Sequence, residues 1–266
     1  MMTPNPAEQL LREWKPHLVE LGLIIGFYVL YLLTRGLIFS QLDQTGLHNA
    51  HRVVSVEMGI RVFWEPAWQA WTLEYAEFVV AVLNWVYVVT YWPIVLGVGL
   101  VLYIKNRSRF YYYRTVVALS LVFALTIFAV FPVSPPFEMT AHFVDTIQTL
   151  GPALYGSPEM GVFYNTNAAM PSLHFCWTVI LGVLCLRSLP GRAKYLGILY
   201  PGVTFLAITI TGNHFILDAV AGGLLAGVAF AILEWGLRER FSLSRRRAGK
   251  GGSCNFLAMI DGRFKG

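Results

Sequence analysis

"GNHFILDAVAGGLLAGVAFAILEWGLRER", residues 212–240, decides how this chain must be read. From Phe215 to Leu237 the run is apolar apart from Asp218 and Glu234, and about 20 such residues cross the ~30 Å hydrocarbon core of a bilayer. It opens on a histidine and an aspartate and closes on arginines, so its two ends are built for different surroundings. Comparable runs lie at 18–39, 76–103, 113–132, 173–189 and 195–212. The chain of 266 residues is 56% hydrophobic and 13% charged, with a mean hydropathy of +0.57, which excludes an ordinary soluble domain. The expectation is an all-α fold: a polytopic membrane bundle of six transmembrane helices.

Six spans put both termini on one side. Of the 20 Lys and Arg residues, all but Arg35, Arg52 and Arg61 fall in segments on that side. By the positive-inside rule the termini are cytoplasmic and the opposite loops extracytoplasmic. The charge rule fits a plasma membrane and an endomembrane equally, and the compact length with no readable sorting signal favours the plasma membrane. The first 17 residues carry no small-residue cleavage site, so the first run reads as a retained span. The tail "RERFSLSRRRAGK" (238–250) reads as an anchor on anionic lipid, and no nucleic-acid partner is expected. Of the three cysteines, Cys176 and Cys185 lie inside the fourth run, so they form neither a disulfide framework nor a zinc spacing.

The expected organisation is a cytoplasmic segment at 1–17, a membrane catalytic domain at 18–241, and a basic, mobile cytoplasmic tail at 242–266. Within that domain, 40–75 forms an extracytoplasmic interfacial segment. There Trp64, Trp68 and Trp71 share one helical face, at headgroup level on a short helix beginning near Pro66. Pro93 is expected to kink the second span. Ala219, Gly223, Gly227 and Ala231 recur every four residues, a small-residue seam for close helix packing.

Three polar elements fall at the same, extracytoplasmic, depth: "FPVSPPFE" (131–138), "AAMPSLHF" (168–175) and "TGNHFILD" (211–218). Pro171 suits the first turn of a helix. The following N–H groups and the Ser172 hydroxyl then make an anion site at the positive end of the helix dipole, with His174 one turn in. His214 and Asp218 are four apart, so on a helix the carboxylate lies beside the imidazole. Such a partner fixes the tautomer and leaves the other ring nitrogen as nucleophile or base; alternatively, Asp218 caps the start of the sixth span. Ionisable groups at this depth mark function.

At these residues the sequence resembles the type-2 phosphatidic acid phosphatase superfamily. "PSLH" is similar to its Pro-Ser-Gly-His motif and "HFILD" to its His-x-x-x-Asp motif. Leu173, "GNHF" and the Pro-Pro run resemble the branch holding inositol phosphorylceramide and sphingomyelin synthases. The resemblance implies His214 as the nucleophile that takes up the phosphoryl group, Asp218 as its orienting and charge-compensating partner, and His174 as the acid for the leaving group. It implies a phosphatase or phosphotransferase on a lipid phosphate or phospholipid headgroup, with membrane lipids as partners and a small alcohol such as inositol as a possible acceptor. No cofactor and no metal are required.

The chain departs from the family pattern where a lysine and Arg-Pro motif is missing and where Ile208 stands in place of an arginine. Arg114 begins the third run on the cytoplasmic side, some 27 Å by helical rise from Pro132 (~1.5 Å per residue). Arg35, inside the first span near its extracytoplasmic end, is therefore expected to bind the substrate phosphate, with Ser172, Asn213 and Asn167 as further hydrogen-bonding candidates. The rival readings are a transporter or flippase using His and Asp as a proton relay, and a metal-dependent hydrolase built on two histidines and an aspartate.

Overall fold

The computed structural model describes residues 6–39, 43–139, 142–152 and 168–248, with side chains from 13–33, 44–139, 142–152 and 168–239. It divides into two compact units, Met1–Gln41 and Leu42–Gly266. The first is the helix α1 (Pro6–Phe39), whose apolar stretch Glu13–Leu33 is long enough to cross a membrane. Helix already begins at Pro6, twelve residues before the apolar run at 18, because Pro at a first helical turn loses no hydrogen bond.

In the second unit, α2 (Asp43–Gly59) and α3 (Glu65–Tyr75) precede the membrane-length helices. Then follow α4 (Glu77–Trp85), a π-turn (Val86–Thr90) and α5 (Tyr91–Lys105), which together make one apolar stretch of 29 residues. Next come α6 (Arg107–Val130), a short α7 (Thr146–Leu150), α8 (Leu173–Ser188), α9 (Leu196–Ile210) and α10 (Ile216–Ala248). No strand occurs among the described residues. Five stretches are long and apolar enough to span, and α8, with 16 residues, is a shorter apolar helix, a count consistent with the six expected.

The boundaries correct several expectations. α6 starts at Arg107, six residues before 113, because Asn106 caps it by accepting from the Arg109 N–H at 3.0 Å. Arg114 therefore lies inside that helix. α10 continues past Ser242 to Ala248, since 242–248 holds Arg, Leu and Ala and neither Gly nor Pro. A π-turn over Val86–Thr90 lies just ahead of Pro93, which has no N–H for the Val89 carbonyl one turn back.

The seam on α10 has a different phase from the one read at strict fourfold spacing. Gly227 and Ala231 are exposed, whereas Ala219, Gly222, Ala226 and Ala229 are buried, because 3.6 residues per turn carries a fourfold pattern off the packed face. Gly222 lies so close to α8 that a Cβ there would collide with the Ser172 carbonyl. At the far end of the bundle α6, α8 and α10 are tied by Tyr112, whose hydroxyl donates to Glu234 at 2.9 Å, and by Arg187, 3.4 Å from the same carboxylate.

At the other end the segment 40–75 is more than a surface feature. Trp64 and Trp71 are turned outward, 49% and 61% exposed, while Trp68 packs edge-on against Phe205 and the neighbouring face of α3 buries Glu65, Gln69 and Thr72. α2 buries Ala50, Val53, Val54 and Glu57, at helical spacing, against Val133, Met139, Phe143, Ala169 and Phe215. Polar clasps fix the connections: Gln69 bonds both the N–H and the carbonyl of Val144, at 2.8 and 3.1 Å. Asn84 donates to the Thr146 carbonyl at 2.7 Å, and the Thr146 hydroxyl lies 3.0 Å from the Thr211 carbonyl. These buried bonds stake the α9–α10 turn in place.

Candidate active site

The three polar elements meet. Val133 and Ala168 form an isolated parallel bridge, and the Ala169 N–H donates to the Val133 carbonyl at 3.0 Å. Asn49 on α2 donates to the Pro132 carbonyl at 2.8 Å, bracing the same strap from outside. Ser172 N–H donates to the Asp218 carbonyl at 3.0 Å, which joins the start of α8 to the start of α10.

His214 is 5% exposed and holds Nδ1 2.9 Å from the Ala169 carbonyl and 3.4 Å from Asp218 Oδ2. A carbonyl oxygen only accepts, so Nδ1 carries the proton and Nε2 is left with its lone pair. The tautomer is thus set chiefly by a backbone carbonyl, with the expected aspartate as the longer second partner. Asp218, fully buried, accepts from the Phe215 N–H at 2.9 Å through the same oxygen. That is the third-residue half of a capping box, so the capping and the imidazole-partner readings of Asp218 both describe it.

His174 stands at the second position of α8, with its ring centroid 6.2 Å from that of His214. Two reaches of about 3 Å from a single reacting group cover such a gap. The ring is held between two aromatics that the sequence reading passed over: Tyr87 at 4.4 Å and Tyr91 at 4.1 Å between centroids. Tyr87 also meets His214 edge-on at 6.5 Å. The signal for them was weak: they are two of six aromatics in the span 76–103, beside Phe78, Trp85, Trp92 and Tyr103. His174, Tyr87, Tyr91, Tyr200 and Thr204 line a small cleft.

Ser172 is the N-cap of α8, not a residue inside it, and its hydroxyl oxygen accepts from the Phe175 N–H at 3.3 Å. Pro171 accordingly sits ahead of the cap, where the sequence reading had placed it in the first turn. Asn213 is buried and donates one amide hydrogen to the Thr211 hydroxyl at 2.6 Å. The Arg35 side chain and Asn167 lie outside the described residues. Arg52 and Arg61 are exposed, and among the described residues no Lys or Arg bonds to His174, His214 or Asp218. Nor do any three His, Cys, Asp or Glu side chains among the described residues gather as metal ligands.

The sequence profile of the PAP2 superfamily matches residues 51–232, about two thirds of the chain, from within α2 to the middle of α10. The chain belongs to the PAP2 superfamily. PAP2 members are typically phosphatases or phosphotransferases. No curated protein and no solved structure matches the chain. The matched PAP2 region includes two further residues with no place in the sequence reading of the site, Glu57 and Glu65. Glu65 accepts from the Ile216 N–H at 2.7 Å and Glu57 from the Leu217 N–H at 2.8 Å. With Asp218 on Phe215, three carboxyl groups cap three successive N–H groups at the start of the helix that follows His214. Burial pushes the Glu57 carboxyl up to about 9 and raises that of Glu65 as well.

Proposed function

We propose that this protein transfers the phosphoryl group of a lipid phosphate or phospholipid headgroup through a phosphohistidine on His214. The observation that carries the reading is the pairing of His214 Nε2, freed by the Nδ1 bond to Ala169, with His174 one ligand's width away. His214 Nε2 attacks phosphorus in line as the phosphorus–oxygen bond to the leaving alcohol breaks, and protonated His174 gives its proton to that oxygen. His174, now neutral, takes a proton from water or an acceptor alcohol; the resulting oxygen attacks phosphorus, the phosphorus–nitrogen bond breaks, and both histidines return to their starting state.

Asp218 compensates the charge that His214 acquires on attack. Tyr87 and Tyr91 hold the His174 ring in place. The Leu173 and His174 N–H groups in the first turn of α8, and the dipole of that helix, stabilise phosphate charge. On the sequence reading Arg35 supplies the cation and Asn167 a further hydrogen bond; Arg35→Lys with unchanged activity and substrate affinity removes that assignment.

The resemblance of "PSLH", "GNHF" and the Pro-Pro run to phosphosphingolipid synthases favours an alcohol acceptor such as inositol over water. The distribution of Lys and Arg supports a site on the extracytoplasmic side with both termini cytoplasmic, and the membrane is proposed to be the plasma membrane. The test is purified protein with a panel of lipid phosphates and phospholipids, with and without inositol, reading free phosphate against new lipid products. Activity that persists in EDTA and is blocked by vanadate supports the reading. No phosphate release and no headgroup exchange from any member of the panel overturns it.

A further inference from the structure

The start of α10 carries more acidic side chains than a helix N-terminus needs. Its first four N–H groups are all occupied: Phe215 by Asp218, Ile216 by Glu65, Leu217 by Glu57, and Asp218 by the Phe215 carbonyl at 3.1 Å. Glu57 and Glu65 come from α2 and α3, more than 150 residues away in sequence, and both are 0% exposed. Each spends Oε1 on a backbone N–H and leaves a buried Oε2 with no donor among the described residues. The two carboxyls accept from neighbouring N–H groups, those of Ile216 and Leu217, which brings them to adjacent positions. Ionised carboxylates only accept, so a hydrogen bond between the two orphaned oxygens requires a proton on one of them.

We propose that Glu57 and Glu65 hold one proton between their Oε2 atoms and act as a singly charged clamp that positions the first turn of α10, and with it His214 and Asp218. The positioning half of this rests on the phosphoryl-transfer reading above; the shared proton does not. One proton satisfies both orphaned oxygens and leaves one negative charge at the positive end of the α10 dipole, where an anion is favoured. Two ionised glutamates beside Asp218 would instead set like charges together in a buried site. The titratable groups that meet the pair are each other and Asp218, with His214 beyond it, and among the described residues no Lys or Arg pairs with it.

Glu57→Gln keeps the carbonyl oxygen for Leu217 and offers an amide N–H to Glu65, so it copies the protonated partner and cannot ionise. The experiment is infrared titration and amide hydrogen exchange on the purified full chain, wild type against E57Q and the double alanine variant E57A/E65A. The wild-type minus E57Q spectrum is expected to show a protonated-carboxyl band at pH 7 that bleaches near pH 9. Exchange of the 215–219 amides is expected to quicken by about tenfold or more in E57A/E65A and to stay closer to wild type in E57Q. In the phosphoryl-transfer assay, kcat of E57A/E65A is expected to fall by about tenfold or more with KM little changed. The alkaline fall of wild-type kcat is expected to be absent in E57Q.

A spectrum with no such band at pH 7 overturns the shared proton, whatever the protein catalyses. Unchanged 215–219 exchange in E57A/E65A overturns the clamp. A band and an exchange effect with unchanged kcat overturn the positioning role. A chain that turns over no phosphate ester at all leaves the band and the exchange to decide the clamp, and counts against the functional reading alone.

Discussion

His214 holds its Nδ1 closer to the Ala169 carbonyl, at 2.9 Å, than to the Asp218 carboxylate, at 3.4 Å. Two jobs usually given to one aspartate are therefore divided. The backbone fixes which nitrogen is free, and the carboxylate opposes the charge that develops on the ring. Asp218→Asn should remove the second job and keep the first. The expected result is a fall in kcat of about 10²-fold, with lipid-substrate KM nearly unchanged, smaller than the ~10⁴-fold seen where the aspartate alone sets the tautomer.

His174 lies against the π-turn. Over Val86–Thr90, just ahead of Pro93, the helix widens, and Tyr87 and Tyr91 both come against the imidazole. Aromatic pairs of this kind contribute about 0.5–1.5 kcal/mol each. Tyr87→Phe should keep most of the activity, while Tyr87→Ala should lower kcat by several-fold. Steady-state rates of the two variants, with chromatographic profiles matched to wild type, check it.

Burial raises the Glu57 carboxyl from its ordinary value of 4.5 to about 9. A group whose folded-state affinity for protons is raised contributes stability that is full below its ordinary value and is lost as pH climbs through the raised one. Thermal unfolding in detergent should therefore show a midpoint that falls between about pH 5 and 9, and E57Q should flatten that slope. A wild-type slope retained in E57Q would assign the effect to other groups.

Packing against α8 gives a paired test. Gly222→Ala pushes a methyl into the Ser172 carbonyl, and overpacking of this kind costs about 1–3 kcal/mol. Gly227→Ala meets nothing within 4 Å and gains helix propensity. The first should lower both the unfolding midpoint and activity, since it displaces the cap of the helix that carries His174; the second should lower neither.

The six apolar runs and the three polar elements were legible because length, hydropathy and motif spacing are local properties of the chain. The phase of the α10 seam was misread because a fourfold pattern in sequence drifts on a real helix, and only contact with α8 shows that Gly222, not Gly227, is at the crossing. Glu57 and Glu65 were not legible as part of the site. Their partners are backbone N–H groups more than 150 residues away, which leave no mark on the sequence around them. Tyr87 and Tyr91 were visible only as two of six aromatics in their span, and their contact with His174 lies at a π-turn that periodicity at 3.6 residues does not anticipate.

The central claim is that His214 carries the phosphoryl group. Rapid-quench single-turnover labelling with a ³²P-labelled lipid phosphate tests it most directly. The expected result is an acid-labile, alkali-stable protein adduct that maps to His214, forms before product, and is absent in His214→Ala. Labelled adduct that persists in His214→Ala, or turnover by that variant at the wild-type rate, would contradict it.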